Sequence, residues 1–144
     1  MKKFLQISGV IFWIQILIIG GIAVNFQLKS SKYEEELVSF ANSFDSDILS
    51  DRNWKASNRY FQIELTEDSD MSLFKEALNS FGVLEKCTFN LPIEVTLNTV
   101  SSESTAACIY ERSEVKLYLS LERLEEGWLI VKTRIVSDAF KFSL

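Results

Sequence analysis

Two cysteines, Cys87 and Cys108, and no histidine set the chemistry open to this chain. Without histidine there is no His-based triad, no imidazole general base and no His metal ligand. Two thiolates fall short of the four N or S ligands of a structural zinc site. A nucleophilic thiol would lack the base that usually activates it. Asp45, Asp47, Asp51 and Glu64, with Tyr60 and Tyr110 as partners, could do acid–base work if one carboxyl were desolvated. Their spacing singles out no pair. "TEDSD" (66–70) lacks the spacing of a calcium loop and reads as a solvated loop. No catalytic residue, metal or cofactor is therefore assigned.

An even cysteine count suits a disulfide in an oxidising compartment. Closing a loop of about 20 residues adds roughly 3 kcal/mol in the chain-entropy model. Register argues against the simple version of the bond. "NTVSSES" (98–104) reads as a turn. With that turn centred near Ser101, Cys108 pairs close to Glu94, and Cys87 lies ~23 Å farther along a straight strand. Disulfide geometry does not span that distance. A fold-back at Pro92 or a different register restores the bond; otherwise both cysteines are small buried hydrophobes.

Alternation along "WLIVKTRIV" (128–136) puts Trp128, Ile130, Lys132 and Arg134 on one face. Two cations beside an aromatic make a candidate anion or partner contact. The plainer reading is the polar end of a half-buried strand.

These residues sit behind a distinctive N-terminus. Residues 4–24 are 21 uncharged, mostly apolar residues preceded by Lys2 and Lys3. As a helix they would span ~31 Å, which matches a ~30 Å hydrocarbon core. Signal-peptide apolar regions are shorter, ~7–15 residues, although Gly21-Ile22-Ala23 has the form of a cleavage site. The length favours a retained anchor with its N-terminus in the cytoplasm. Gln15, near the middle of the span, is a candidate contact for a partner helix. Residues 1–26 thus form the tip and anchor, 27–32 a linker, and 33–144 a folded domain.

That domain carries eleven Lys and Arg against all 20 Asp and Glu, a net of −9. Such a surface repels phosphate backbones and disfavours nucleic acid. Tyr33, Leu37, Phe40, Ala41, Phe44 and Ile48 recur at helical spacing, with Glu34, Glu35 and Glu36 as the expected first turn. A short second helix is expected from Trp54 to Phe61. A third, with Leu73, Phe74, Ala77, Leu78 and Phe81 apolar, ends at Gly82. The period then changes to two. Val115, Leu117, Leu119 and Leu121 give the cleanest strand, and Pro92 must sit at an edge, bend or bulge. Helices followed by strands predict an α+β fold, with three helices packed on a curved antiparallel sheet of about four strands.

The layout resembles the NTF2-like, or cystatin-like, superfamily over roughly residues 33–138. The cues are the ending "VKLYLSLERLEEGWLIVKTRIV", similar to those domains' last hairpin, and "NSFGVLEKCTF" before the first long strand. The resemblance implies a cone between sheet and helices. In some members it is an enzyme pocket; others are non-catalytic, anchored parts of envelope machines. Enzymes of this kind usually line the cone with an acid–base pair, often including the histidine that is missing here. Trp54, Tyr60, Phe61, Phe89 and Tyr110 could line a ligand pocket.

Anchor, acidic domain and missing catalytic set together predict a single-pass bacterial inner-membrane protein. Its periplasmic domain would be a non-catalytic scaffold that contacts other envelope proteins, with homo-oligomerisation open to it. The alternatives are a ligand-binding or enzymatic cone, and an immunity-type protein whose acidity suits a basic toxin.

Overall fold

The computed structural model describes residues 29–62, 69–138 and 141–143. The chain divides into two compact units, Met1–Tyr33 and Glu34–Leu144. Of the first, residues 29–33 are described and are helical. The expected span, with Gln15, lies outside the described residues. Among the described residues no helix is long and apolar enough to cross a membrane.

The second unit is α+β. Helix α1, residues 34–44, widens into a π-helical stretch at Asp45–Ser50. Of its expected stripe, Leu37, Ala41, Phe44 and Ile48 are buried, and Tyr33 and Phe40 are half-buried. The helical residues 29–33 mean that Glu34–Glu36 do not open the helix. Glu36 instead accepts from the Arg123 Nε at 2.7 Å. The short second element is a 3-10 helix, Trp54–Arg59, and α2 runs Ser69–Ser80. Leu73, expected in the apolar stripe of α2, is 44% exposed; Met71 takes the inward place. Gly82 closes the segment at φ 83°, as its position predicted.

The sheet is antiparallel, made of β1 (Leu84–Asn90), β2 (Glu94–Val95), β3 (Val100–Tyr110), β4 (Ser113–Leu124), β5 (Gly127–Ser137) and β6 (Lys141–Ser143). Spatial order is β1-β3-β4-β5-β6, with β2 also on β3. The count exceeds the expected four because Pro92, which cannot donate to a ladder, splits one strand into β1 and β2. The small β6 adds to it.

"NTVSSES" is not the turn. The hairpin turns at Leu97 and Asn98, where the Thr96 N–H donates to the Thr99 carbonyl at 2.8 Å. The "SSES" segment is already strand β3. Ser102 and Ser104 face inward and are buried, which the polar composition concealed. Their hydroxyls satisfy each other at 2.6 Å, and Ser102 also donates to the Pro92 carbonyl. Glu103, between them, points outward and accepts from the Ser120 hydroxyl at 2.8 Å.

A second irregularity decides which side chains share a face. Ser120 pairs with Lys132, but Leu121 pairs with Ile130, so Val131 is the extra residue of a β-bulge. Before the bulge Trp128 and Ile130 point inward; after it Thr133 and Ile135 do. The inner face of the sheet packs under the helices. Tyr60–Gln62 binds the edge of β5, with the Gln62 N–H donating to the Ile130 carbonyl at 3.0 Å and the Ile130 N–H to the Tyr60 carbonyl at 2.7 Å.

Candidate functional site

Cys87 and Cys108 are bonded to each other. They are direct partners across β1 and β3, with Cα atoms 4.1 Å apart. The expected obstacle disappears because the turn lies about three residues earlier than "NTVSSES" implied. Moving a hairpin turn by three to four residues moves every cross-strand partner by about twice that. The register also runs unbroken through Pro92: Asn90 faces Thr105 and Glu94 faces Ser101. No fold-back is needed.

The proposed grouping of Trp128 with Lys132 and Arg134 is corrected by the bulge at Val131. Trp128 is buried on the inner face, whereas Lys132 and Arg134 are exposed on the other. Strict alternation fails wherever a bulge inserts one residue. Arg134 has a different aromatic neighbour, Tyr118, its direct cross-strand partner; the guanidinium carbon lies 4.3 Å from the ring centroid. The Lys116 ammonium lies over the same ring at 5.3 Å. Tyr118 was not a candidate in the sequence, because only the β4–β5 register brings it between two cations.

Among the acids, the fold selects two pairings that spacing could not. Asp47 accepts from the Tyr60 hydroxyl at 2.5 Å across the turn from α1 to the 3-10 helix. Burial, and then the Asp47 carboxylate, push the Tyr60 hydroxyl up to about 12. Asp45 and Tyr110 form the second group. The Asp45 Oδ1 and the Tyr110 hydroxyl are both buried without a hydrogen-bond partner. Burial raises both above their ordinary values; at Tyr110 the nearby Arg52 guanidinium opposes the rise, and the Asp45 charge adds less to it. Asp51 is exposed, its backbone N–H bonded to the Ser46 carbonyl. Glu64 lies outside the described residues.

Arg52 organises this end of the domain, and nothing in the sequence marked it. Its guanidinium donates to the carbonyls of Leu49 (2.7 Å), Leu78 (2.9 Å) and Gly82 (3.1 Å). The first two are C-terminal carbonyls of the π-helical turn and of α2, where a cation opposes the helix dipoles, and Gly82 lies just past the end of α2. The same group lies 5.2 Å from the Tyr110 ring centroid. Its backbone is left-handed at φ 55°, a conformation costly for a non-glycine residue. Committed to three carbonyls, Arg52 is a structural clamp rather than a substrate-binding cation.

The Asp45 carboxyl gives a prediction with a definite sign. Its folded-state value lies above the ordinary 3.8, so the native state holds the proton longer than the unfolded chain. Stability is then lost as pH rises through that window. Asp45→Asn should remove this loss. The stability difference, Asp45→Asn minus wild type, is expected to grow in the mutant's favour between pH 4 and pH 7 in urea titrations. A difference independent of pH would refute it.

The space between helices and sheet is occupied by aromatic rings. Phe44 meets Phe61 edge to face at 5.8 Å, and Phe61 meets Phe74 at 5.7 Å; all three are essentially fully buried. Tyr60, Phe61 and Tyr110, proposed to line a pocket, are in this packing or against it. A concavity among the described residues lies on the sheet face opposite these helices. It is a shallow groove of about 510 Å³, lined by Lys86, Thr88, Ala107, Ile109, Glu114 and Lys116, among others. No protein-family model, curated protein or solved structure matches this chain.

Proposed function

We propose that this chain is a membrane-anchored periplasmic interaction protein. It would be a non-catalytic accessory subunit of a bacterial envelope assembly, such as a secretion system, with an NTF2-like arrangement of helices on a curved sheet. The observation that carries the reading is the contrast between the two sheet faces. One is packed with the domain's own aromatic side chains, while the other, among the described residues, is uncovered and grooved. A domain that works by contact needs a free outer face, not an empty interior. The disulfide suits an oxidising compartment, and residues 4–24 have the length of a bilayer span.

The test uses the full chain in cells. It should resist carbonate extraction from membranes. A photo-crosslinking residue at Thr105 or Tyr118, on the sheet face opposite the helices, should give discrete adducts with envelope proteins, a second copy of this chain among them. The same probe at Asn58, exposed on the helical side, should give none. Release by carbonate would overturn the anchor, and equal labelling from both sides would overturn the assignment of the face.

A ligand-binding reading draws on one specific observation, the buried Asp45 Oδ1 and Tyr110 hydroxyl, neither with a hydrogen-bond partner. Buried polar atoms without partners invite a water or a polar ligand. Retained carbonate resistance with no adduct from either face, plus protection of Tyr110 by a small molecule, would favour it.

A further inference from the structure

One row of the sheet face opposite the helices carries its charge asymmetrically. Lys86 on β1 pairs with Ile109 on β3, and Ile109 with Glu114 on β4. Asp138 extends the same row beyond Glu114, one residue past Ser137, which pairs with Val115. A cation thus stands on one side of an exposed isoleucine and two acids on the other. Ile109 is 43% exposed, and one row along β3 the small Ala107 leaves room for close approach. Lys86, Glu114 and Asp138 have no ion-pair partner among the described residues.

We infer that this groove docks a second copy of the chain. Consider a twofold axis in the plane of the interface, tilted ~15° from the strands so that the two sheets cross at the ~30° usual for packed sheets, and passing over Ile109. It exchanges the two neighbours of β3, which lie ~4.8 Å to either side. Lys86 of each copy then faces Glu114 of the other, with Asp138 beyond it, and the two Ile109 side chains meet on the axis. Ala107 faces Ala107, and Thr88 faces Lys116, a neutral pairing. This self-complementarity is what an isologous interface requires. Elsewhere the domain's net charge of −9 opposes association. Glu103, on the same strand, would also face its copy, but it lies ~20 Å from Ile109. There the ~30° angle between packed sheets carries the two carboxylates apart. The docking geometry itself does not depend on the anchor.

The experiment is a charge swap on the full chain in detergent, with mass measured by sedimentation. The wild type should be a dimer. Lys86→Glu and Glu114→Lys should each weaken it at least about tenfold, since like charges then meet at two symmetric places. The double variant K86E/E114K should regain most of the affinity that either single variant loses, the unchanged Asp138 accounting for the remainder. Ile109→Cys should give a covalent dimer with a short bis-maleimide, which spans the ~10 Å between packed sheets that a direct disulfide cannot. Circular dichroism confirms that each variant is folded. A monomeric wild type, single variants that dimerise as well as wild type, or a double variant that fails to recover would each overturn the inference. Carbonate extraction, which tests the anchor, is unaffected by any of these outcomes.

Discussion

Phe61→Ala is expected to cost about 3–5 kcal/mol of unfolding free energy. Phe61 is 1% exposed and meets Phe44 and Phe74 edge to face. Truncation removes the ring's transfer energy and leaves a cavity that its neighbours fill only in part. They cannot move freely, because Phe44 is held on α1 and Phe74 on α2. The backbone at Phe61 is also pinned to β5 through Tyr60 and Gln62. Urea denaturation followed by Trp fluorescence reads the effect. Leu97→Ala, at a fully exposed hairpin tip, is the matched control and should change stability by less than about 0.5 kcal/mol. Equal effects at the two sites would mean that the helix–sheet interior is not the packed core described above.

Loss of the Cys87–Cys108 bond comes next. Replacing both cysteines with alanine, or reducing the wild type, is expected to cost about 3 kcal/mol. The bond closes a segment with a sequence separation of 21, and opening it returns that conformational freedom to the unfolded chain. The native hairpin should survive, because its ladder runs from Leu84 to Val95 against β3 and does not depend on the bond. The expected signature is therefore a lower denaturation midpoint with an unchanged circular dichroism spectrum. A midpoint insensitive to reductant would show that the cysteines are not bonded in the native protein.

These two expectations were legible in the sequence to different degrees. The α1 stripe could be read directly, because Leu37, Ala41, Phe44 and Ile48 follow the helical period. So could β4, where four apolar residues alternate without interruption. Gly82 announced its left-handed turn. The disulfide could be suspected from two cysteines but not paired, because its register hangs on one turn. Ser102 and Ser104 read as loop residues when they are buried strand residues whose hydroxyls satisfy one another. Propensity describes single residues, whereas that pairing exists only once Pro92 and β3 are side by side.

What the sequence determined by itself was the order of helices before strands, the apolar faces, the acidic charge and the absence of histidine chemistry. Each follows from residue type and short-range period, which need no knowledge of distant neighbours. The tertiary structure decided the rest. It set the hairpin turn at Leu97–Asn98 and so joined Cys87 to Cys108. Its bulge at Val131 sent Trp128 inward and Lys132 and Arg134 outward. It drew Arg52 to carbonyls 26 and 30 residues away, and set Lys86, Ile109 and Glu114 in one row across three strands. One inserted residue reverses every side chain beyond it, and pairing between strands is a long-range choice. Local pattern therefore shows which residues form the sheet, and only its closed register shows which of them stand together.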